Sequence, residues 1–276
     1  MAAKLPEVYA AICMVLLFAP VVLSQGTQIP AQRSQVNSWF ASIIKPAKER
    51  ARTLDPDVAK AEANPKIIKV KKGGGGDFDT ITQSHRETLL HTLTGKCKGA
   101  QAVALRVAGD RSAIYNCNLY GFQDTLCDDR GNHFYKNCNI RGTVDFIFGR
   151  GKSIYLDSDL YVVPDPRLTV ITAQARESSS EDTGYSFVHG KVYGPAKGAF
   201  LGRAWRSSPR VVFAYSDMGK VVNPAGWSHN NQPDRAKTVY YGEYKCIGKA
   251  QVQCSPSVEQ GSNATEQGSN ATEPTM

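Results

Sequence analysis

The sequence has few of the residues that build metal sites and histidine-dependent active sites. Its 276 residues include only five histidines, which are scattered, and no Cys-x-x-Cys pair. We therefore expect no metal and no other cofactor. The Gly-x-Ser-x-Gly signature of many serine hydrolases is missing as well. Beyond residue 23 the sequence lacks an apolar run long enough to cross a bilayer, so we expect no membrane partner.

The two ends of the chain differ in composition from its middle. Residues 8–23 are almost entirely apolar and follow a lysine, a pattern typical of a secretory signal peptide, which we predict over residues 1–24. Residues 251–276 contain EQGSNAT twice, with glycosylation sequons at Asn263 and Asn270. We predict a secreted protein whose polar tail is disordered and glycosylated.

The charge of the chain is positive. Lysine and arginine number 33 against 25 aspartates and glutamates, which gives a formal net charge of +8. In a secreted protein this favours an acidic polysaccharide as partner, and we expect no nucleic acid. The alternative is that the charge only aids solubility.

The cysteines leave disulfide formation open. Six remain if Cys13 is removed with the signal peptide, and an even number in an oxidising compartment permits disulfides. The sequence does not reveal which cysteines would pair. Cys117 and Cys138 occupy equivalent positions of a repeat, and we expect both to be packed thiols in the interior.

The middle of the chain repeats with a period of 21 residues. The segment YNCNLYGFQDTL from Tyr115 aligns with KNCNIRGTVDFI from Lys136, and weaker copies follow further along the chain. Short β-rich segments at a spacing of about 20 residues are typical of solenoids, in which each coil buries its apolar face against its neighbours. We predict an all-β, right-handed, single-stranded parallel β-helix over residues 67–250. A short helical segment over residues 25–66 is expected before it.

Two carboxylates occupy equivalent positions of this repeat. Asp124 in GFQDTL aligns with Asp145 in GTVDFIFG. Residues one coil apart lie on neighbouring strands about 4.8 Å apart, so the two side chains are expected side by side. Two such carboxylates drive their pKa values apart, which leaves one as base or nucleophile and the other as proton donor. The alternative is a solvent-facing Asp ladder, but Phe122, Phe146 and Phe148 favour a shielded cleft.

Four motifs, in order, resemble those of one enzyme family. They are QAVALRV (101–107), GFQDTL (121–126), GTVDFIFG (142–149) and LGRAW (201–205). The chain thereby resembles the plant pectin methylesterases (pectinesterases), and in particular their short-N-terminus, pollen-type branch. This resemblance implies a pectin-lyase-like β-helix, secreted to the cell wall (apoplast), that hydrolyses methyl esters of polygalacturonate and releases methanol. It also implies pectin as ligand, proteinaceous pectinesterase inhibitors as partners, and a monomer.

The resemblance also implies which residues catalyse the reaction. Asp145 would attack the ester carbonyl as the nucleophile. Asp124 would protonate the departing methanol and then activate water. Gln123 would donate side-chain N–H groups to the developing oxyanion, its alternative being a turn residue.

Three further residues are implied to bind the substrate or to support the nucleophile. Gln101 would be a second oxyanion donor, its alternative being an amide in a strand ladder. Arg203 would hold Asp145 ionised, its alternative being a surface ion pair. Trp205 would offer its ring face to a sugar, its alternative being a core residue.

The sequence departs from the family pattern at two places. Ala204 stands where the family usually has proline, which is expected to loosen a turn. Between GDFDTITQ (76–83) and KGAQAVAL (98–105) only 14 residues remain, where family members have several coils. At about 20 residues per coil, we expect about three coils to be missing. Gln101 would then lie near a ragged edge, and we expect weak activity at most.

Two alternative functions remain open from the residues alone. Paired carboxylates also serve glycosyl transfer, so a β-helix glycosidase acting on polygalacturonate is one of them. The missing coils favour the other, a non-catalytic or vestigial pectin-binding protein. Methanol release, new reducing ends, or binding without turnover would distinguish the three.

Overall fold

The computed structural model describes residues 28–44, residues 49, 56, 59 and 60, and residues 101–248. The chain divides into two units, Met1–Pro65 and Lys66–Met276. The predicted signal peptide, the start of the β domain, residues 84–97 and the tail with its sequons all lie outside the described residues. Within the described part, no helix has the length and apolarity that a membrane crossing requires.

The first unit contains a helix within its described residues, as expected for the helical N-terminal segment, while residues 28–32 are not helical. Helix α1 covers Arg33–Ile43 and buries Val36. It ends at Ile44, which has an extended conformation and whose N–H donates to the carbonyl of Phe40. Residues 49, 56, 59 and 60 are helical as well.

The second unit is a right-handed parallel β-helix, which confirms the predicted fold. Its described strands, numbered β1 to β18 in chain order, form three parallel sheets of six, and every third strand belongs to the same sheet. The first sheet contains β1 (Leu105–Val107), β4 (Leu126–Asp128), β7 (Val144–Gly149), β10 (Val170–Gln174), β13 (Phe200–Arg203) and β16 (Trp227–Ser228).

The other two sheets complete six coils of three strands each. The second sheet contains β2 (Ser112–Tyr115), β5 (Asn132–Lys136), β8 (Lys152–Leu156), β11 (Gly184–Val188), β14 (Arg210–Ala214) and β17 (Tyr240–Tyr244). The third contains β3 (Asn118–Tyr120), β6 (Asn139–Gly142), β9 (Asp159–Val162), β12 (Lys191–Tyr193), β15 (Asp217–Met218) and β18 (Ile247–Gly248). One 3-10 helix, η1 (Pro233–Lys237), lies in the last long loop, where the repeat pattern predicts no helix.

The register of the strands follows the sequence repeat. Leu119 pairs with Ile140, as the alignment predicts. The same column continues through Leu160, Val192 and Met218 on later coils. These side chains are all buried, because each coil presents its apolar residue inward at this position. The 21-residue spacing holds for the first coils and lengthens where loops enter between later strands.

A stack of aromatic rings fills the interior beside the second sheet. Tyr135, Tyr155, Phe187 and Phe213 lie on successive strands with ring centroids 4.4–4.5 Å apart and nearly parallel planes. All four are at most 1% exposed. Stacking and burial of such large side chains contribute much of the stability of a solenoid core.

A column of turn residues connects the second sheet to the third. In six coils the residue after the second-sheet strand has a positive φ between 48° and 59°; these residues are Asn116, Asn137, Asp157, His189, Tyr215 and Lys245. Asn and Asp tolerate this left-handed region better than most residues, which suits them to the first three turns. The Nδ2 of Asn137 also donates to Oδ1 of Asn116 over 3.3 Å.

The cysteines of the described residues are free thiols. Cys117, Cys127, Cys138 and Cys246 form no disulfide. Cys138 is 2% exposed, and Cys117 packs against the same core. The expected packed thiols are thus confirmed for these two positions, while Cys97 and Cys254 lie outside the described residues.

Candidate active site

A cleft of about 430 Å³ lies along the outer face of the first sheet. All six residues that the sequence analysis singled out line it. Its lining consists of Gln101, Gln123, Asp124, Asp145, Phe148, Gly149, Ala173, Ala175, Arg203, Trp205 and Arg206. Gln101 and Arg203, which are 102 positions apart in sequence, therefore line the same cleft, because the first sheet brings the start of each coil to the same face.

A β-bulge explains how a carboxylate can lie inside an apolar strand. Val144 pairs with Val170 and Ile147 with Thr172, so two residues of β7 oppose one residue of β10. Asp145 has a φ of 49° within this bulge. The extra residue turns Asp145 toward the cleft and leaves Phe146 fully buried in the core.

Asp124 reaches the cleft in the same way one coil earlier. Its φ is 60°, and its N–H donates to the carbonyl of Val144 over 3.1 Å. A glycine precedes each carboxylate by three residues for a steric reason. A Cβ on Gly142 would lie 2.1 Å from Cβ of Phe146, and one on Gly121 would lie 2.4 Å from Oγ1 of Thr125.

The two glutamines lie on neighbouring strands next to the carboxylates. Gln101 forms a parallel bridge with Gln123, which forms another with Val144. Gln123 is partly buried, whereas Gln101 is exposed at the first described position of the β-helix. The edge expected near Gln101 would involve residues 84–97, which lie outside the described residues.

Arg203 holds Asp145 with two hydrogen bonds. Its Nε donates to Oδ1 over 2.8 Å, and its Nη2 donates to Oδ2. Both side chains are largely shielded, with 16% and 8% of their surface exposed. Nη1 of Arg203 donates to Oδ1 of Asn230 over 3.1 Å. A carboxylate that accepts from a guanidinium at both oxygens is unprotonated, so Asp145 is the ionised member of the pair.

Burial and mutual repulsion separate the two carboxylates chemically. Burial, and next the charge of Asp145, raise the pKa of Asp124 to about 6, while Arg203 partly offsets the rise. Burial also raises the pKa of Asp145, and the hydrogen bonds and charge of Arg203 oppose that rise. Asp124 has no comparable guanidinium contact, so it is the member that keeps a proton near pH 6.

The aromatic residues of the cleft are partly as predicted. Trp205 is 45% exposed, and the guanidinium of Arg203 lies 4.8 Å from its ring centroid, so its core alternative is wrong. The expectation that three phenylalanines shield the cleft is also wrong. Phe146 is fully buried in the core and Phe122 is 36% exposed outside the lining, which leaves only Phe148 in the cleft. Alternation from Asp145 places Phe146 in the core, and the bulge leaves Ile147 fully buried next to it.

Comparison with known proteins identifies the family. A sequence model described as Pectinesterase matches residues 68–274. The chain belongs to the pectinesterase family. It is 41% identical to Probable pectinesterase 49 of Arabidopsis thaliana over 316 aligned positions, which cover 87% of each chain. It is 38% identical to Pectinesterase 2 of Olea europaea over 318 positions, which cover 87% of this chain and 86% of the other.

A solved structure shares the fold of this pectinesterase. The pectin methylesterase from carrot superposes with a TM-score of 0.52 at 35% identity, over 54% of this chain and 50% of the carrot chain. The chain thus matches about half the length of that structure. Family and fold together make the protein a carboxylic ester hydrolase that acts on the methyl esters of pectin.

The alanine in LGRAW has a consequence that the sequence did not reveal. Ala204 is fully buried, and its N–H donates to the carbonyl of Ser228 over 2.9 Å. A proline has no N–H and could not form this bond. In this pectinesterase the substitution therefore ties β13 to β16, rather than only loosening a turn.

Sequence reasoning missed two polar residues at the site. Asn230 contacts Arg203, and Arg206 lines the cleft while its Nη1 lies 3.2 Å from Oε1 of Glu177. Both lie in loops after first-sheet strands, where the 21-residue repeat no longer applies. The only signal in the sequence was that Arg206 directly follows LGRAW and that Asn230 lies three residues after Trp227. Within the described residues, no group of three or more His, Cys, Asp or Glu is placed to hold a metal ion.

Proposed function

We propose that this pectinesterase removes methyl groups from pectin by covalent catalysis at Asp145. The observation that carries the proposal is the bidentate contact of Arg203 with Asp145 beside Asp124, whose pKa is raised to about 6. One carboxylate is thereby held ionised and oriented, and the other can carry a proton.

In the first half of the reaction, an oxygen of Asp145 attacks the ester carbonyl carbon. The carbonyl oxygen becomes an oxyanion, which the side-chain N–H groups of Gln123 and Gln101 stabilise. The C–O bond to the methoxy group then breaks, and Asp124 donates its proton so that methanol leaves. The product is an acyl-enzyme in which Asp145 is joined to the substrate as an anhydride.

In the second half, the ionised Asp124 takes a proton from water. The resulting hydroxide attacks the acyl carbon, the bond to Asp145 breaks, and the galacturonic acid that forms releases its proton to solvent and leaves as the carboxylate. Asp124 ends protonated and Asp145 ends ionised, so the starting state is restored. Trp205, with nearly half of its surface open to the cleft, offers a flat face to a sugar ring of the polymer.

A parallel assay of two products tests this function. Methyl-esterified polygalacturonate would be incubated with the purified chain, and methanol and new reducing ends would be measured together. We expect methanol without new reducing ends, because the ester is cleaved and the glycosidic bond is not. New reducing ends without methanol would assign the carboxylates to glycoside hydrolysis instead.

We also propose that about three coils present in relatives are absent here, between residues 83 and 98, in a member of the short-N-terminus, pollen-type branch. The alignment with the Arabidopsis relative extends over 316 positions, whereas this chain has 276 residues. The aligned region of that relative therefore contains positions that this chain lacks. Transcript sequencing across codons 80–100 tests the proposal, and an intact reading frame encoding further coils would contradict it.

We further propose that the protein is secreted to the cell wall and acts there on pectin as a monomer. The apolar segment at residues 8–23 and the sequons at Asn263 and Asn270 support secretion. The monomer and a proteinaceous inhibitor as partner are proposed from the resemblance to the family, and the open side of the cleft is where an inhibitor would bind. N-terminal sequencing of protein from cell-wall extracts, with its mass in solution, tests both points.

A further inference from the structure

The outer face of the third sheet carries a column of aromatic and cationic side chains. Tyr120, Arg141, Tyr161 and Tyr193 lie on β3, β6, β9 and β12, each paired in register with the next. We refer to these four residues as the tyrosine–arginine column. They point outward because their neighbours at the preceding position, from Leu119 on, point into the core.

Three of the four side chains of the column, those of Arg141, Tyr161 and Tyr193, are held in place by contacts with each other. The guanidinium of Arg141 lies 5.2 Å from the ring centroid of Tyr161, which in turn lies 5.2 Å edge-on from the ring of Tyr193. The hydroxyl of Tyr193 accepts a hydrogen bond from Nδ2 of Asn139 over 3.1 Å. Tyr120, at the end of the column, is 62% exposed. The column is therefore an ordered, solvent-facing surface, and ordered side chains lose little conformational entropy on binding.

A basic hollow continues the column. It has a volume of about 450 Å³, is lined on one side by Tyr193 and contains Lys197 and Lys220. Both lysines are exposed, and Lys191 lies over the ring of Tyr193 at 5.3 Å. Tyr193 thus belongs to both the column and the hollow, which makes them one continuous surface.

The charge of this surface is positive. Arg141 and the three lysines contribute four cations, against the carboxylates of Asp159 and Asp217 on the same sheet. One of these, Asp159, accepts a hydrogen bond from the N–H of Lys191 at Oδ1. Aromatic faces alternating with cations suit a polymer of sugar rings that carry carboxylates, since rings stack on tyrosine and carboxylates pair with lysine and arginine.

The surface shares no residue with the catalytic cleft, which lies on the first sheet. We propose that the tyrosine–arginine column and its basic hollow bind an acidic polysaccharide with free carboxylates, namely de-esterified polygalacturonate. The choice of polymer rests on the proposed function, because hydrolysis of the methyl esters produces this polyanion. The surface would keep the enzyme on polymer that it has already processed, while the cleft remains available for methyl-esterified segments.

A triple variant, Tyr120→Ser/Arg141→Gln/Lys220→Gln, tests the proposal in the full chain. Its affinity for fully de-esterified polygalacturonate should fall about tenfold, which corresponds to about 1.4 kcal/mol. Its kcat/KM for a methyl-esterified trigalacturonate, too short to span both sites, should stay unchanged. Should the triple variant fail to fold, Lys197→Gln/Lys220→Gln, which alters only exposed lysines, provides the same comparison.

The matched control changes the same residue types elsewhere on the β-helix. Tyr240→Ser/Arg111→Gln/Lys237→Gln removes an exposed tyrosine and the same two charges. This control should bind polygalacturonate within about twofold of the unmodified chain, since Arg111 and Lys237 lie away from the column and form only exposed ion pairs with Asp110 and Asp234, which contribute little.

Two outcomes would overturn the proposal. The first is equal loss of affinity in the triple variant and its control, which would reduce the effect to net charge. The second is a folded triple variant that binds fully de-esterified polygalacturonate as tightly as the unmodified chain. A protein that shows the binding difference but releases no methanol would count against the proposed function and leave this surface intact.

Discussion

At the scale of single residues, the guanidinium of Arg203 determines the charge and orientation of Asp145. Two donors reach the two oxygens of one carboxylate, and Asn230 fixes the third nitrogen of the fork. Lysine carries the same charge but presents a point ammonium that cannot reproduce this geometry. The nucleophile would then be free to rotate away from the ester carbon.

Arg203→Lys should therefore lower kcat by about 10²-fold, the typical effect of misplacing a reacting group by about 1 Å. Arg206→Lys is the matched control, because Arg206 also lines the cleft but pairs only with the partly exposed Glu177. We expect a change of at most a few-fold there. Near-normal kcat for Arg203→Lys in a methanol-release assay would return Arg203 to the role of a surface ion pair.

Asp124 gives the reaction a pH dependence whose direction follows from its environment. Its pKa is raised to about 6, and the protonated form is the one that donates to methanol. The protonated fraction falls as pH rises above about 6, so kcat/KM should decline on the alkaline side with an apparent pKa that belongs to the carboxylate pair. Asp124→Asn should lower kcat/KM by about 10²–10⁴-fold and abolish this alkaline limb. An unchanged limb in the variant would assign the titration to another group.

At the scale of elements, the strand ladder and the carboxylate pair could be predicted because the repeat has constant length in the first coils. The alignment of Leu119 with Ile140 became a strand register, and Asp124 and Asp145 met in one cleft. The side chains after Asp145 could not all be placed, because a bulge breaks the alternation of side chains and leaves both Phe146 and Ile147 buried. Asn230 and Arg206 could not be found either, since they lie in loops whose lengths break the repeat.

A buried ion pair was also invisible in the sequence. Asp128 and Asp129 are adjacent, but only Asp128 faces inward. Its side chain pairs with that of His133, and both are fully buried. Nδ1 of His133 lies against Oδ1 of Asp128, and Nε2 lies 3.0 Å from the carbonyl oxygen of Gly109. The hydroxyl of Tyr155 donates to Oδ2 of Asp128. Both ring nitrogens face oxygen atoms, an arrangement that favours a proton on each nitrogen and hence the imidazolium form.

His133 should link the stability of the coils to pH. Burial opposes the charge of His133, yet Asp128 and the Gly109 carbonyl outweigh it and raise the pKa above the ordinary 6.5. Because the pKa of His133 is higher in the folded than in the unfolded state, its protonation stabilises the folded state fully below pH 6.5. This stabilisation is lost as the pH rises through the folded-state pKa. His133→Gln should lower the free energy of unfolding by about 3–5 kcal/mol at pH 6, because it breaks a buried ion pair and leaves Asp128 without its partner. The difference between variant and unmodified chain in urea unfolding should shrink at high pH; a constant difference would mean that His133 is neutral.

At the scale of the whole molecule, the β-helix is stabilised mainly by contacts between neighbouring coils. The described strands form an unbroken sequence of six coils. The cleft is lined by residues of β7, β10 and β13, and by the segments that directly precede β1 and β4 or follow β10 and β13. If coils are missing before residue 98, the wall of the cleft beyond Gln101 is shortened, because each coil contributes one strand to that wall. We expect the 276-residue chain to turn over polymeric pectin more slowly than the Arabidopsis relative under identical conditions. Equal turnover would show that the absent coils are dispensable for catalysis.

The most direct test of covalent catalysis at Asp145 is to measure methanol release by the Asp145→Asn variant. The substitution keeps the size of the side chain but removes the nucleophilic charge, so methanol release should fall on the order of 10⁴-fold or more, as loss of a nucleophile does. Asp234→Asn, at a side chain that is 99% exposed, is the control and should keep the rate of the unmodified chain. Circular dichroism of both variants would verify the β-helix. Substantial methanol release by a folded Asp145→Asn protein would contradict the assignment of Asp145 as the nucleophile.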